Sequence, residues 1–205
     1  MPQDNLTSRL EVEIKVRLTD TAAFATQLPS LGFHQKTAET LERNTLFDTP
    51  TGEMRRHGEL LRVREYDGHW KLTHKAPVGF DTTATHKSRV ETETEVDDGK
   101  ALAAIFERLG YRASFIYEKF RAEWSDGEGD IVIDRTPIGD FAELEGEPDW
   151  IDRTASRLGI SPSQYLTSSY GQLFLQWKET TGHPSANMTF VEIHPGKSAA
   201  SSPQD

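Results

Sequence analysis

The sequence contains no cysteine among its 205 residues, so it can form neither disulfide bonds nor thiolate metal sites. It has no run of about 18 apolar residues, the length that crosses a bilayer, and its first nine residues contain no apolar signal segment. Basic residues are the minority, with 23 Lys and Arg against 33 Asp and Glu and a formal net charge of -10. This balance argues against a general affinity for nucleic acid or anionic membranes. We expect a cytoplasmic monomer or homodimer that binds neither nucleic acid nor membranes.

Two common site signatures are also missing. The sequence has no Gly-x-x-x-x-Gly-Lys phosphate-binding loop. Its seven histidines show no paired spacing typical of zinc ligands. We therefore expect neither a nucleotide-binding loop of that type nor a zinc centre.

Residues 10–18, Leu-Glu-Val-Glu-Ile-Lys-Val-Arg-Leu, alternate without a break between apolar and charged side chains. Successive side chains of a β-strand point to opposite faces of its sheet. The pattern therefore predicts a strand with one apolar face and one face that mixes carboxylates with cations.

The rest of the chain indicates one strand-rich domain over residues 1–179 and a disordered tail over residues 180–205, which has few apolar anchors. Further strands are predicted near residues 33–47, 60–66, 69–75, 89–96, 111–124, 130–135 and 140–146. Helices are predicted near residues 20–31, 98–109, 149–158 and 161–178. Asp67-Gly68 between two alternating runs is a strong hairpin signal.

An internal repeat relates the two halves at an offset of 78 positions. Glu13 corresponds to Glu91, and Leu31-Gly32-Phe33 corresponds to Leu109-Gly110-Tyr111. Asp20 with Asp98 and Arg43 with Arg121 follow the same offset. Either two strand–helix–strand units resemble each other by chance, or the fold has two halves related by a pseudo-twofold axis.

Charged residues recur on one face of almost every predicted strand. They are Glu11, Glu13, Lys15, Arg17, Arg62, Arg64, Lys71, Lys75, Arg89, Glu91, Glu93, Glu95, Lys119, Arg121, Glu123, Glu143 and Glu145. For a single strand, the simplest interpretation is the solvent face of an antiparallel sheet. The repeated Arg-x-Arg and Glu-x-Glu patterns favour another one, in which the sheet closes and the charged faces line a polar lumen.

Such a lumen suits a polyphosphate with its metal ion. Paired carboxylates bind hard cations such as Mg²⁺ or Mn²⁺ through oxygen, and Arg and Lys neutralise phosphate oxygens. Enclosed charges of like sign repel one another unless a counter-charge arrives, and a highly anionic ligand supplies one.

The motifs resemble those of the CYTH superfamily, the triphosphate tunnel metalloenzymes. Residues 11–15, Glu-Val-Glu-Ile-Lys, are similar to its Glu-x-Glu-x-Lys signature. The resemblance continues in the family's order through residues 44–50, 61–64, 72–77, 89–93, 119–121 and 133–146. Two positions depart from the family pattern, Leu46 where Tyr is usual and Ala76 where Gly is usual.

The resemblance implies an α+β fold, an eight-stranded antiparallel β-tunnel with helices packed outside, that binds a small anionic triphosphate with Mg²⁺ or Mn²⁺. The implied metal ligands are Glu11, Glu13, Glu93, Glu143 and Glu145. The implied phosphate-binding residues are Arg62, Arg64, Lys75, Arg89, Lys119 and Arg121. Lys15 is expected beside the reacting phosphoryl group, with Arg62 and Arg64 also catalytic, and Asp134 is expected in the substrate site, positioning a basic partner. Residues near strand ends or outside the motifs are interpreted as solvent-facing, namely Arg17, Lys71, Glu95 and Glu123.

Three functions remain open. The first is a metal-dependent triphosphatase acting on inorganic triphosphate, thiamine triphosphate or a nucleotide. The second is a class IV adenylate cyclase, which converts ATP to cyclic AMP and pyrophosphate, and the third is a binder of polyphosphate without catalysis. Residues 44–50 and the following Gly58 resemble the hydrolase branch more than the cyclase branch, so hydrolysis is preferred by analogy.

Overall fold

Eight antiparallel strands form a closed barrel in the computed structural model, which describes residues 8–78 and 85–196. The strands are β1 (Ser8–Leu18), β2 (His34–Asp48), β3 (Leu60–Tyr66), β4 (His69–Pro77), β5 (Lys87–Val96), β6 (Arg112–Ser125), β7 (Asp130–Thr136) and β8 (Gly139–Glu145). Their order around the barrel is β1-β5-β4-β3-β2-β6-β7-β8. The predicted α+β tunnel is confirmed, and each of the eight predicted strands is present.

Helices and short turns connect the strands and cover part of the barrel. The helices are α1 (Thr21–Gln27), α2 (Glu53–Arg56), α3 (Gly99–Arg108), α4 (Pro148–Arg157), α5 (Tyr170–Thr181) and α6 (Phe190–Ile193). The side chains of Asp20 and Asp98 cap α1 and α3 by accepting hydrogen bonds from backbone N–H groups in the first turn of each helix. No helix in the described part of the chain combines the length and apolarity needed to cross a membrane.

The predicted helix over residues 161–178 is wrong in its first half. A short 3-10 turn spans Pro162–Gln164, and the chain then extends so that Leu166 exchanges two backbone hydrogen bonds with Lys15 of β1. A new helix, α5, begins only after Ser169, whose side chain and that of Gln172 form a capping box. The backbone hydrogen bonds of Leu166 with β1 thus replace the helical hydrogen bonds that the sequence pattern predicts.

The apolar face of β1 packs outside the barrel. Val12, Ile14 and Val16 are buried in one cluster with residues of α1, α4, β7 and β8. Burying each such side chain contributes about 1.5–3 kcal/mol. Because this face is covered by helices, the charged face of the same strand must turn into the lumen, as the alternation predicts.

A second apolar cluster borders the lumen. Tyr117 and Phe141 have the same strand parity as Lys119 and Glu143, and they pack against Tyr170, Leu173 and Phe174 of α5. The charged part of the lumen therefore borders aromatic residues that pack against α5.

The prediction of a disordered tail from residue 180 is wrong for residues up to 196. Met188 is fully buried and exchanges backbone hydrogen bonds with Ile116 and Glu118 of β6. Ile193 of α6 joins the same apolar cluster as α5. Two well-placed apolar side chains anchor a segment of otherwise polar composition, and residues 197–205 lie outside the described residues.

The strand order supports the internal repeat. Exchanging β1–β4 with β5–β8 leaves the order of neighbours around the barrel unchanged. Gly32 and Gly110 both adopt left-handed backbone conformations, with φ of 94° and 96°. One predicted correspondence is wrong, because Arg121 faces the lumen whereas Arg43 lies outside and pairs with Glu118. Register shifts within the first half of β2 change its parity relative to β6.

Gly129 permits a close approach of Trp150, and its replacement by Ala should destabilise the fold. An added Cβ would lie 2.7 Å from three atoms of the indole, whose N–H donates to Asp126 at 2.9 Å. Because this ring is buried in the core, it cannot move away freely, and we expect Gly129→Ala to lower the free energy of unfolding by about 1–3 kcal/mol. Gly171→Ala is the control in urea denaturation, since its Cβ would meet nothing closer than 3.9 Å. Equal stability of the two variants would contradict this packing argument.

Candidate metal and phosphate site in the tunnel

The lumen contains a cavity of about 290 Å³ lined mainly by charged side chains. Among the described residues, eleven that line it are cationic, namely Arg9, Lys15, Lys36, Arg62, Arg64, Lys71, Lys75, Lys87, Arg89, Lys119 and Arg121. Eight of the described lining residues are acidic, namely Glu11, Glu13, Glu91, Glu93, Glu123, Asp130, Glu143 and Glu145. In a chain with a net charge of -10, this cationic excess marks the tunnel as the place for an anion. All twelve predicted site residues other than Asp134 line this one cavity.

Three carboxylates form an acidic cluster on the wall of the tunnel. Glu11, Glu13 and Glu145 each offer an oxygen, and these oxygens all lie within 4.8 Å of one another. Glu13 and Glu145 are directly paired across β1 and β8. An all-oxygen donor set of this kind fits a hard divalent cation such as Mg²⁺ or Mn²⁺.

The electrostatics of the cluster also fit a cation. Burial, together with the neighbouring carboxylates Glu143 and Glu11, raises the pKa of Glu145 to about 8. Burial also raises the pKa of Glu11, although Lys75 opposes the shift. Two of the three carboxylates thus resist ionisation in the absence of an added positive charge.

Lysine ammonium groups surround the acidic cluster. Lys75 donates to both carboxylate oxygens of Glu11, at 2.5 and 2.7 Å, and Lys87 donates to Glu13. The ammonium of Lys15 lies 3.7 Å from Glu13 and 2.5 Å from Glu143. Burial opposes ionisation of Glu13, but Lys15 and Lys87 outweigh it and hold the pKa of Glu13 below its usual range.

Two predicted metal ligands lie outside the acidic cluster and are held by cations. Glu143 accepts from Lys15 and from Arg121, both at 2.5 Å. Glu93 accepts from Arg64 at 3.1 Å and from Lys71 at 2.9 Å. Their carboxylates orient basic side chains in this structure.

Asp134 is fully buried behind the tunnel wall and does not line the cavity. Its carboxylate accepts from Lys119 Nζ at 2.8 Å and from Arg121 Nε and Nη2 at 2.9 and 2.8 Å. Sequence reasoning expected Asp134 to position a basic partner, and it contacts two of them. Glu42, also fully buried, lies 3.4 Å from Lys119 and 3.5 Å from Arg121.

The two arginines of β3 project into the cavity with unused hydrogen-bonding capacity. Arg62 donates to Tyr117 at 3.4 Å and to Thr73 at 3.2 Å. Within residues 8–78 and 85–196, the buried Nε atoms of Arg62 and Arg64 have no hydrogen-bond partner. Since an unpaired buried N–H is costly, these groups are poised to bind an anion. Arg89 lines the same cavity and is paired in register with Glu11.

Sequence reasoning missed several residues of the tunnel. Lys87 shares the strand parity of Arg89 and could have been found from it. Their places near strand ends or outside the motifs predict solvent-facing side chains for Lys71 and Glu123, but both line the cavity, because the strands extend further along the lumen than the motifs do. Glu42 and Tyr170 gave no usable signal, since β2 changes parity and Tyr170 lies on a helix.

Comparisons with known proteins agree with this geometry. The family model of the CYTH domain matches residues 9–157. Adenylate cyclase CyaB from Aeromonas hydrophila is 30% identical over 187 residues, which cover 84% of this chain and 93% of the relative. A solved structure from Vibrio parahaemolyticus has a TM-score of 0.71 at 21% identity and covers 82% of this chain and 99% of its own. HpAC1 from Hippeastrum, described as having a dominant triphosphatase activity, has a TM-score of 0.59 at 22% identity, with 81% and 95% covered. At these identities the two structures show a shared fold.

Proposed function

Because the chain belongs to the CYTH domain family, we propose that it is a divalent-metal-dependent hydrolase of triphosphates. Its substrate would be inorganic triphosphate, thiamine triphosphate or a nucleoside triphosphate, bound inside the charged tunnel. The observation that carries the proposal is the excess of cations around one cavity beside a cluster of three carboxylates.

Separate groups of residues are assigned to the metal ion and to the phosphates according to their positions in the tunnel. Glu11, Glu13 and Glu145 are assigned to the metal ion, which when bound would neutralise phosphate oxygens and activate the attacking water. Arg62, Arg64, Lys75, Arg89, Lys119 and Arg121 are assigned to the phosphate groups. Phosphoryl transfer requires little covalent chemistry from a protein, so this positioning and charge neutralisation are sufficient.

Lys15 is assigned to the reacting phosphoryl group. Its ammonium lies between Glu13 of the acidic cluster and Glu143 of the cationic wall, so it can contact a phosphate held between the two. Burial opposes protonation of Lys15, but Glu13 and Glu143 hold its pKa above its usual range, so it remains charged. Glu143 and Glu93 are assigned to orienting the cations that they contact.

A class IV adenylate cyclase is the second candidate, favoured by the name of the relative from Aeromonas hydrophila. A cyclase must also hold an adenine ring. Among the described residues that line the cavity, the aromatic rings are those of Tyr117 and Tyr170. Lys15 and Lys119 already contact the Tyr170 ring, and Tyr117 packs between Phe115 and Tyr170. Both rings are thus already in contact with other protein groups, so we retain hydrolysis as the proposed reaction and the cyclase as the alternative.

Product analysis separates the candidate functions. The protein is incubated with Mg²⁺ or Mn²⁺ and, in turn, ATP, inorganic triphosphate and thiamine triphosphate. We expect release of orthophosphate that stops when the metal is chelated. Cyclic AMP and pyrophosphate from ATP would instead identify a cyclase, and saturable binding without any product would identify a polyphosphate binder.

A further inference from the structure

Tyr170, the first residue of α5, lies in the wall of the tunnel although it follows the segment that matches the CYTH model. Its side chain is buried and lines the cavity together with Ser169 and Gly171. The start of α5 is thus part of the same enclosure as the charged residues of the strands.

The hydroxyl of Tyr170 joins the buried network behind the phosphate-binding cations. It donates to Asp134 Oδ2 at 2.6 Å, and the same oxygen accepts from Lys119 Nζ and Arg121 Nη2, both at 2.8 Å. Burial and the carboxylates of Asp134 and Glu143 raise the pKa of Tyr170 well above its usual value. The phenol therefore stays protonated and acts as a donor that fixes the carboxylate.

The ring of Tyr170 contacts two ammonium groups from different strands. Lys15 Nζ of β1 lies 4.9 Å from the ring centroid, and Lys119 Nζ of β6 lies 4.7 Å from it. Both distances are within the range of cation–π attraction. One side chain thus links β1, β6 and, through Asp134, β7.

We propose that Tyr170 is a positioning residue that holds the ammonium groups of Lys15 and Lys119 toward the phosphates of the bound ligand. This inference rests on the proposed function. Lysine side chains have large rotamer freedom, and fixing them before the ligand arrives lowers the entropy lost on binding. Phe141, which packs edge-on against the ring at 5.6 Å, keeps the ring itself in place.

Equilibrium binding of inorganic triphosphate, measured by calorimetry, tests the proposal without relying on turnover. Tyr170→Phe keeps the ring and loses the hydrogen bond, so we expect affinity to fall by about fivefold. Tyr170→Leu also loses both cation contacts, and we expect a fall of about 30-fold. Leu173→Ala is the matched control, because Leu173 is also buried on α5 in the same apolar cluster but does not contact Lys15, Lys119 or Asp134 in the described contacts. Its affinity should remain that of the wild type in protein that thermal melting shows to be folded.

A double-mutant cycle with Lys119→Met separates positioning from a merely structural role. If Tyr170 acts partly through Lys119, then Tyr170→Leu should weaken binding by only about fivefold in the Lys119→Met background. The same 30-fold loss in both backgrounds, or wild-type affinity in Tyr170→Leu, would overturn the inference. If the wild type itself does not bind triphosphate, the proposed function fails rather than this inference.

Discussion

Replacing Glu13 by Gln is expected to abolish turnover, with a loss of at least about 100-fold. The substitution keeps the size of the side chain and removes its charge. Glu13 lies in the acidic cluster and contacts Lys15 and Lys87, so the change weakens metal binding and releases two ammonium groups. Initial rates of orthophosphate release from the best substrate measure the effect.

A second readout ties this loss to the metal. Titration with Mn²⁺, followed by electron paramagnetic resonance, should show at least tenfold weaker binding by Glu13→Gln. The matched control is Glu128→Gln, since Glu128 is exposed in the turn before β7 and lies outside the tunnel. Unchanged activity of Glu13→Gln in folded protein would remove Glu13 from the metal site.

Replacing Asp134 by Asn is expected to lower the free energy of unfolding by about 3 kcal/mol or more. Asp134 is fully buried and accepts from Lys119, Arg121 and Tyr170. Removing one partner of a buried ion pair leaves uncompensated charge, which typically costs about 3–5 kcal/mol. Urea denaturation in the absence of ligand measures the change.

The control for this experiment is Asp130→Asn in the same strand. Asp130 is 39% exposed and pairs with Lys36 at 3.3 Å, and an exposed pair of this kind contributes less than about 1 kcal/mol. If the free energy of unfolding of Asp134→Asn were within about 1 kcal/mol of the wild type, the buried carboxylate would not be needed to stabilise the charges of Lys119 and Arg121.

Alternation along single strands made much of the tunnel predictable from sequence. In β1 the apolar residues 12, 14 and 16 and the charged residues 11, 13 and 15 separate cleanly, so the faces follow from period two alone. The Asp67-Gly68 hairpin fixed the pairing of β3 with β4 in the same way.

Features that depend on contacts between distant segments could not be predicted. The predicted helix is interrupted at Leu166, because the backbone of Leu166 pairs with that of Lys15 in β1 instead. Met188 anchors the segment that the sequence predicts to be a disordered tail, because its backbone pairs with β6. Asp134 sits in an ordinary strand motif, and only the fold reveals that it lies behind the wall with Tyr170 as a partner. For Leu166 and Met188, tertiary hydrogen bonding overrides the local sequence pattern.

The glutamates of the tunnel also differ in their pKa values, and the sequence motifs do not reveal this difference. Glu11 and Glu145 have raised pKa values, whereas Glu143 is held well below its usual pKa because Lys15, Lys119 and Arg121 outweigh the effect of burial. Glutamates of similar spacing therefore have different environments. This difference separates Glu11 and Glu145 from Glu143, whereas Glu13, whose pKa is also held below its usual range, is assigned to the cation by its place in the acidic cluster.

Anomalous diffraction at the manganese edge, from crystals grown with Mn²⁺ and inorganic triphosphate, locates the metal and the ligand together. We expect a manganese peak within about 2.5 Å of oxygens of Glu11, Glu13 and Glu145, with the phosphates inside the tunnel against Arg64 and Lys119. A peak elsewhere, or triphosphate bound only on the outer surface, would contradict the claim that the charged faces of the strands converge on one metal and phosphate site.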